Sequence, residues 1–207
     1  MTFTLASASP ARLATLRSAG FDPMVVVSGV DEDAVLADAT RAAGGALDHP
    51  AAVQTLARAK AEDVASRTSY GLVLGCDSML ELDGELIGKP QDVATATARW
   101  RAMRGRAGVL HTGHWLVDCR EGHPGATGAV ASTTVHFADL SDAEIDAYVA
   151  TGEPLNVAGA FTVDGLGGSF IEGIEGDHHN VIGLSLPLLR HLLGSRGISV
   201  QQLWVRA

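Results

Sequence analysis

The chain has 207 residues, a net charge of −9, and 46% hydrophobic against 19% charged residues, values that exclude a disordered chain and leave room for a sizeable core. The acidic balance argues against a general nucleic-acid binder, which needs a basic face, and no apolar run reaches the roughly 18 residues of a membrane span. Two cysteines far apart, Cys76 and Cys119, follow no CxxC pattern, and the apolar start has no basic stretch ahead of it to mark a signal peptide; reduced thiols in a cytoplasmic protein are expected.

Residues 3–6 read as a first strand. Ser9 is a suitable N-cap and Pro10 a suitable first helical residue, so a helix is expected from Pro10 to Ala19, stopped by Gly20. A strand, a serine turn and a helix start present backbone N–H groups and the hydroxyls of Ser7 and Ser9 to an anion, with Arg12 in the first turn: a phosphate cradle, or else an ordinary capped helix. Residues 21–30 read as a second strand that delivers Asp31, Glu32 and Asp33 to its end, a metal-ligand candidate or a solvated turn. Residues 34–48, rich in alanine and broken by Gly44-Gly45, read as a surface connection or, alternatively, one that includes a short helical turn. Residues 50–68 are a helix anchored by Val53, Leu56 and Val64, and carry Lys60.

The central stretch is residues 71–90. Leu72, Val73 and Leu74 form a glycine-bounded strand, and Asp77 stands where that strand is expected to end, the place ligands occupy in an open α/β sheet. A second run, residues 79–82, turns at Asp83-Gly84 and returns to Gly88-Lys89-Pro90, a hairpin that folds Lys89 back toward Asp77. A carboxylate and an ammonium so placed suit a metal-assisted reaction on a phosphate; the plainer alternative is a turn cap and a solvated lysine. Of 15 basic residues only Lys60 and Lys89 are lysines, which marks both as places for a compact point charge rather than a planar fork.

Asp92 opens another helix, ending at Gly105, whose arginines surround the core-type residues Trp100 and Met103. Residues 109–119 and 128–140 read as two longer strands forming an antiparallel pair, and His111, His114 and His136 on them as structural histidines. Ser141 and Glu144 form a capping box. Residues 159–176 are too rich in glycine for a regular helix and read as loop around a short strand at 169–174, and residues 187–193 are a last buried helix. His178 and His179 are set aside, because sequence neighbours seldom face one ion together. The segment Gly84 to Pro90 is one residue short of a P-loop and ends in proline where Ser or Thr would hold Mg²⁺; Gly165-Leu-Gly167-Gly168 lacks the following helix of a dinucleotide fingerprint; Cys76 sits among apolar residues and packs rather than reacts.

Seven fragments in order, LASASPAR, VDE at 30–32, LARAKA at 56–61, GCDS with DGELIGKP, LSDAEIDAYVATGEPL, AGAF with GLGG, and IEGDHHNVIGLSLPLL, resemble the Maf family of nucleoside triphosphate pyrophosphatases over nearly the whole chain. The resemblance implies an α/β fold of Maf-like, inosine-triphosphatase-like type: a two-lobed mixed sheet flanked by helices, residues 1–207 forming one domain around a central cleft. It implies a cytoplasmic enzyme, often a homodimer, that uses Mg²⁺ or Mn²⁺ to split a nucleoside triphosphate into monophosphate and pyrophosphate, and no nucleic-acid or membrane partner. Carried onto matching positions, Asp77 becomes the catalytic base and a metal ligand, Glu32 the second metal ligand, and Ser7, Ser9, Arg12, Lys60 and Lys89 the triphosphate contacts. The alternative is a non-catalytic nucleotide-binding regulator of cell division, which has no need of both Glu32 and Asp77.

Three positions depart from the family pattern. Ala11 replaces the first of two arginines, Val157 a lysine, and Asp164 the glutamine of members that prefer pyrimidine nucleotides. These changes resemble the subgroup whose substrates include methylated guanosine triphosphate. A carboxylate that only accepts hydrogen bonds suits the N–H edge of guanine, so Asp164 is the candidate for base choice, with a turn residue before Gly165 as the alternative.

Overall fold

The computed structural model describes residues 1–90 and 92–205. In chain order the strands are β1 (Phe3–Leu5), β2 (Met24–Val25), β3 (Leu72–Leu82), β4 (Glu85–Ile87), β5 (Ala107–Asp118), β6 (Gly125–Phe137) and β7 (Ile171–Glu175). The α-helices are α1 (Pro10–Ser18), α2 (Glu32–Ala43), α3 (His49–Ala65), α4 (Val93–Met103), α5 (Asp142–Ala150), α6 (His178–Ile182) and α7 (Leu186–Ser195). The strands form one mixed sheet in the order β2-β1-β3-β5-β6-β7, with β4 also on β3; β1 is parallel to β2 and β3, while β4 on β3 and β7 on β6 are antiparallel. β5 and β6 are neighbours joined by residues 119–124, too short a link for the crossover a parallel pair requires. The residues group into two compact units whose boundaries fall inside β3, β5 and β6: one of residues 1–77, 112–131 and 183–207, the other of 78–111 and 132–182.

Local chemistry accounts for most elements. Ser9, Asp31, Asp48, Asp92, Ser141 and Ser185 each cap a helix by accepting a backbone N–H, and Ser141 with Glu144 closes the capping box. Three expectations are corrected. The second strand shrinks to Met24–Val25, both exposed at the sheet edge. Residues 34–48 hold most of α2, a helix with Asp31 as N-cap and Gly44 in the left-handed C-cap; it buries none of its residues fully, which is why no apolar stripe announced it. The third correction is that β3 does not end before Asp77 but runs on through it to Leu82. A polar residue interrupts the hydrophobic pattern without interrupting the backbone ladder, so the two runs read as separate strands are one.

The first unit's core joins Leu5, Leu72, Leu74 and Leu116 from the sheet to Leu16 of α1 and Leu189 and Leu193 of α7. In the second unit Trp100, fully buried, meets Phe137, Tyr148 and Phe170 edge-on at 5.8, 5.4 and 5.9 Å and donates its indole N–H to the Ala160 carbonyl at 2.7 Å. The α4 arginines serve this unit: Arg99 donates to the Gly88 carbonyl, Arg104 and Arg101 pair with Asp142, and Arg106 follows the helix to pair with Asp83.

Helix α3 lies on the first unit's sheet at unusually close range. A methyl group at Gly75 would stand 2.3 Å from the Ala57 carbonyl oxygen and 2.8 Å from the Ala61 nitrogen, and one at Gly113 2.4 Å from the Val53 carbonyl. The alanines on the helix and the glycines on the strands form one contact, and neither side has a flexible atom to yield. Gly75→Ala is therefore expected to cost about 3 kcal/mol by overpacking, read as a lowered urea midpoint, whereas Gly29→Ala, with open space around it, stays within about 0.5 kcal/mol.

Candidate active site

In the parallel pairing β1 matches Leu5 to Leu74, and the last ladder bond runs from the Ala6 N–H to the Leu74 carbonyl. Beyond that point β3 continues without β1 beside it, because the chain has turned through Ser7 and Ser9 into α1. The Cys76 carbonyl is met instead by Arg12, whose Nη1 donates to it at 2.8 Å and to Ser7 Oγ at 3.1 Å, while Nε donates to the Gly183 carbonyl at 2.8 Å. Arg12 thus replaces a missing strand and ties the start of α1 to β3 and to the chain before α7. Ser7 Oγ also accepts the Ser9 N–H, and Ser9 Oγ accepts the Arg12 N–H; a hydroxyl that accepts still carries its own proton to donate.

Asp77 follows directly and is 7% exposed. Because Gly75 lets α3 approach, Lys60 reaches it: the Lys60 Nζ lies 2.6 Å from Asp77 Oδ1 and 2.7 Å from Glu32 Oε1. Glu32 is the first residue of α2, where the helix dipole favours a carboxylate, and its side chain is 52% exposed while that of Lys60 is 12% exposed. One ammonium therefore bridges a buried and an exposed carboxylate. Burial pushes the Asp77 carboxyl above its ordinary value; the Lys60 and Arg12 charges pull it back, without cancelling the burial, and the Glu32 charge adds to the upward push. The neighbouring Cys76 is wholly buried and its thiol is pushed up to about 12, chiefly by burial, so it stays protonated and packs in the core.

Of the residues singled out from sequence, Ser7, Ser9, Arg12, Glu32, Lys60 and Asp77 all lie in the first unit, linked by the bonds above. Lys89 and Asp164 lie in the second, both exposed. The chain at Gly88, just before Lys89, is held by Arg99 and by the Gly159 N–H, both donating to its carbonyl. The histidines on the long strands have their own partners. His114, fully buried, sits with Nδ1 3.0 Å from the Thr112 carbonyl and accepts the Ser185 N–H at Nε2, which fixes its tautomer; His111 meets Glu81 and Ser132, and His136 meets Glu175.

Glu153 is the residue that sequence reasoning passed over. Its carboxylate accepts from Tyr148 Oη, Thr162 Oγ1 and the backbone N–H groups of Leu166 and Gly167, clamping the loop that carries Asp164. Gly167 is required there, since a methyl group would stand 2.3 Å from the Tyr148 hydroxyl. The signal lay in Gly152-Glu153-Pro154, but an acid after a helix gives no hint of four donors arriving from sequence positions on both sides.

A family model described as Maf-like protein matches residues 2–196. A protein of Salinispora tropica named nucleoside triphosphate pyrophosphatase is 56% identical over 207 residues, covering 98% of this chain and 87% of its own length. Proteins of the same name from Streptomyces avermitilis and Streptomyces coelicolor are 55% and 56% identical, each covering more than nine-tenths of both chains. Among solved structures, the Ham1 protein of Staphylococcus aureus aligns over 99% of this chain and 94% of its own at 13% identity, with a TM-score of 0.46.

Burial pushes the Glu153 carboxyl up, but the hydrogen bonds from Thr162, Gly167, Leu166 and Tyr148 outweigh it and bring it down to about 2, below the ordinary 4.5. A carboxyl lowered on folding stabilises the fold fully above its unfolded value and loses that contribution as pH falls from 4.5 toward 2. Glu153→Gln puts an amide nitrogen where an acceptor is needed and is expected to cost about 2 kcal/mol at pH 7. Urea unfolding of the two chains should show the gap narrowing below pH 4.5.

Proposed function

The chain belongs to the Maf family, and on that premise we propose that the Asp77–Lys60–Glu32 cluster is the catalytic centre of a nucleoside triphosphate pyrophosphatase that releases the monophosphate and pyrophosphate. The observation that carries the reading is the convergence of two carboxylates on one cationic position in the unit that also holds the serine turn and Arg12. Oxygen donors of this kind suit Mg²⁺ or Mn²⁺, and the Lys60 ammonium, within 2.7 Å of both carboxylates, marks a place of concentrated negative potential; Glu32 and Asp77 are the residues that would hold the ion. Such an ion supplies charge neutralisation on the phosphates and acidifies bound water.

Asp77 takes the proton from the attacking water, a task that requires its ionised form. Water oxygen adds to the α-phosphorus as the bond to the bridging oxygen breaks, and that oxygen leaves with pyrophosphate. Lys60 holds the Asp77 oxygen in place and keeps a buried carboxylate from being uncompensated. The hydroxyls of Ser7 and Ser9 and the backbone N–H of Ala11 donate to phosphate oxygens, with the fixed Arg12 charge beside them; Pro10 has no N–H, and the Arg12 N–H is held by Ser9 Oγ. Lys89 and Asp164 are assigned to the substrate on the family resemblance, Lys89 to the triphosphate and Asp164 to the base. The cytoplasm and a homodimeric state are proposed on the same ground; among the described residues no helix is long and apolar enough to cross a membrane.

Incubation with a nucleotide panel and Mg²⁺ or Mn²⁺ should yield monophosphate and pyrophosphate. Orthophosphate with diphosphate, or binding without turnover, would overturn the reading. Asp77→Asn is expected to lose more than about 10²-fold in rate with the fold retained. Near-normal turnover in that variant would remove this mechanism. Asp164→Asn should narrow the preference between guanine and pyrimidine triphosphates by about tenfold, a loss of about 1.4 kcal/mol of discrimination, with turnover of the poorer substrate unchanged.

A further inference from the structure

Asp177 precedes α6, and His178 and His179 open it; the three play no part in the cluster around Asp77. One potential ligand atom from each of the three residues falls within 4.8 Å of the others. The two imidazole rings lie face against face, centroids 3.8 Å apart and tilted by 37°, so the neighbours in sequence do present themselves together. Asp177 Oδ1 accepts the His179 N–H at 3.0 Å and lies 3.1 Å from His179 Nδ1. The other oxygen, Oδ2, is buried and has no hydrogen-bond partner among the described residues. A buried carboxylate oxygen left without a donor costs on the order of 1–3 kcal/mol, and a cation is the group that relieves it.

The turn is rigid before any ligand arrives. Thr133 Oγ1 donates to the Asp177 carbonyl at 3.0 Å, and the fully buried Asn180 donates to the Leu110 carbonyl and to Thr133 Oγ1, both at 3.1 Å. These bonds fix the main chain on both sides of the two histidines to the neighbouring strands, the kind of support that holds a ligand set in place.

The geometry points to a second metal site, formed by Asp177, His178 and His179, that takes a borderline divalent ion of the Zn²⁺ class. Two imidazole nitrogens and one carboxylate oxygen are the donors of such an ion, and unlike the all-carboxylate pair of Glu32 and Asp77 they discriminate against Mg²⁺. Three protein ligands leave a position for water, so the ion exchanges, and its effect is to hold the first turn of α6 in place.

The test titrates the purified full chain with Zn²⁺ against a chromophoric chelator, alongside Asp77→Asn, His178→Ala and His179→Ala. Wild type and Asp77→Asn should withdraw the same equivalent of Zn²⁺ with equal affinity, while each histidine variant binds about tenfold or more weakly. Histidine variants that bind within twofold of wild type, or an Asp77→Asn chain that alone loses the ion, would overturn the site. A second measurement needs no variant: on adding Zn²⁺ the ring-proton NMR signals of His178 and His179 should shift or broaden together and Mg²⁺ should leave them in place, whereas unmoved signals would reject it.

Discussion

A carboxylate taken out of water must be met by charge or give up its own, and the arrangement around Asp77 is an answer to that constraint. Lys60 meets it from α3, Glu32 shares the ammonium from the start of α2, and Arg12 supports the backbone one residue earlier. Removing one partner from a buried pair costs about 3–5 kcal/mol, mostly through the charge left behind, so these residues stand or fall together. The bridge in turn depends on a feature with no charge at all: without the bare backbone of Gly75, α3 would be displaced from β3 and Lys60 with it.

The same arrangement explains why a buried carboxylate is found inside a strand. β1 ends two residues before Cys76, so the ladder bonds that would have covered that part of β3 are supplied by a side chain instead. Where that strand neighbour is missing, the serine turn and the start of α1 stand beside β3, and two of the chain's 15 basic residues, Arg12 and Lys60, are fixed there. Net charge and local function are in this way independent: the two carboxylates around Lys60 are offset by Lys60 and Arg12, and a bound divalent ion would add the positive charge that the proposed polyanionic substrate requires.

The second unit solves a different problem with the same means. Its core is built around Trp100, and the loop beyond α5 has too many glycines to hold a shape by its own backbone preference. Glu153 supplies the shape by collecting four donors, two from the loop backbone and two from side chains. A charged group used as a clamp on a loop is the counterpart of the charged groups proposed for chemistry in the first unit.

The sequence by itself determined the elements whose causes are local: the capped helices, the hairpin at Asp83-Gly84, the apolar strands, and the membership of Asp77, Glu32, Lys60 and Arg12 in a family pattern. It could not show that β3 runs unbroken through Asp77, because hydrophobic periodicity records side chains and not the ladder beneath them. Nor could it show that α2 is a helix, since a helix lying outside the core has no apolar stripe to reveal. The tertiary structure alone decided that Lys60, read as a phosphate contact, is also the bridge between two carboxylates, that Arg12 completes a strand, that Glu153 is a clamp, and that His178 and His179 face each other. Each of these rests on atoms brought together from distant parts of the chain or across a turn, and such convergence is set by packing distances, which no local pattern encodes.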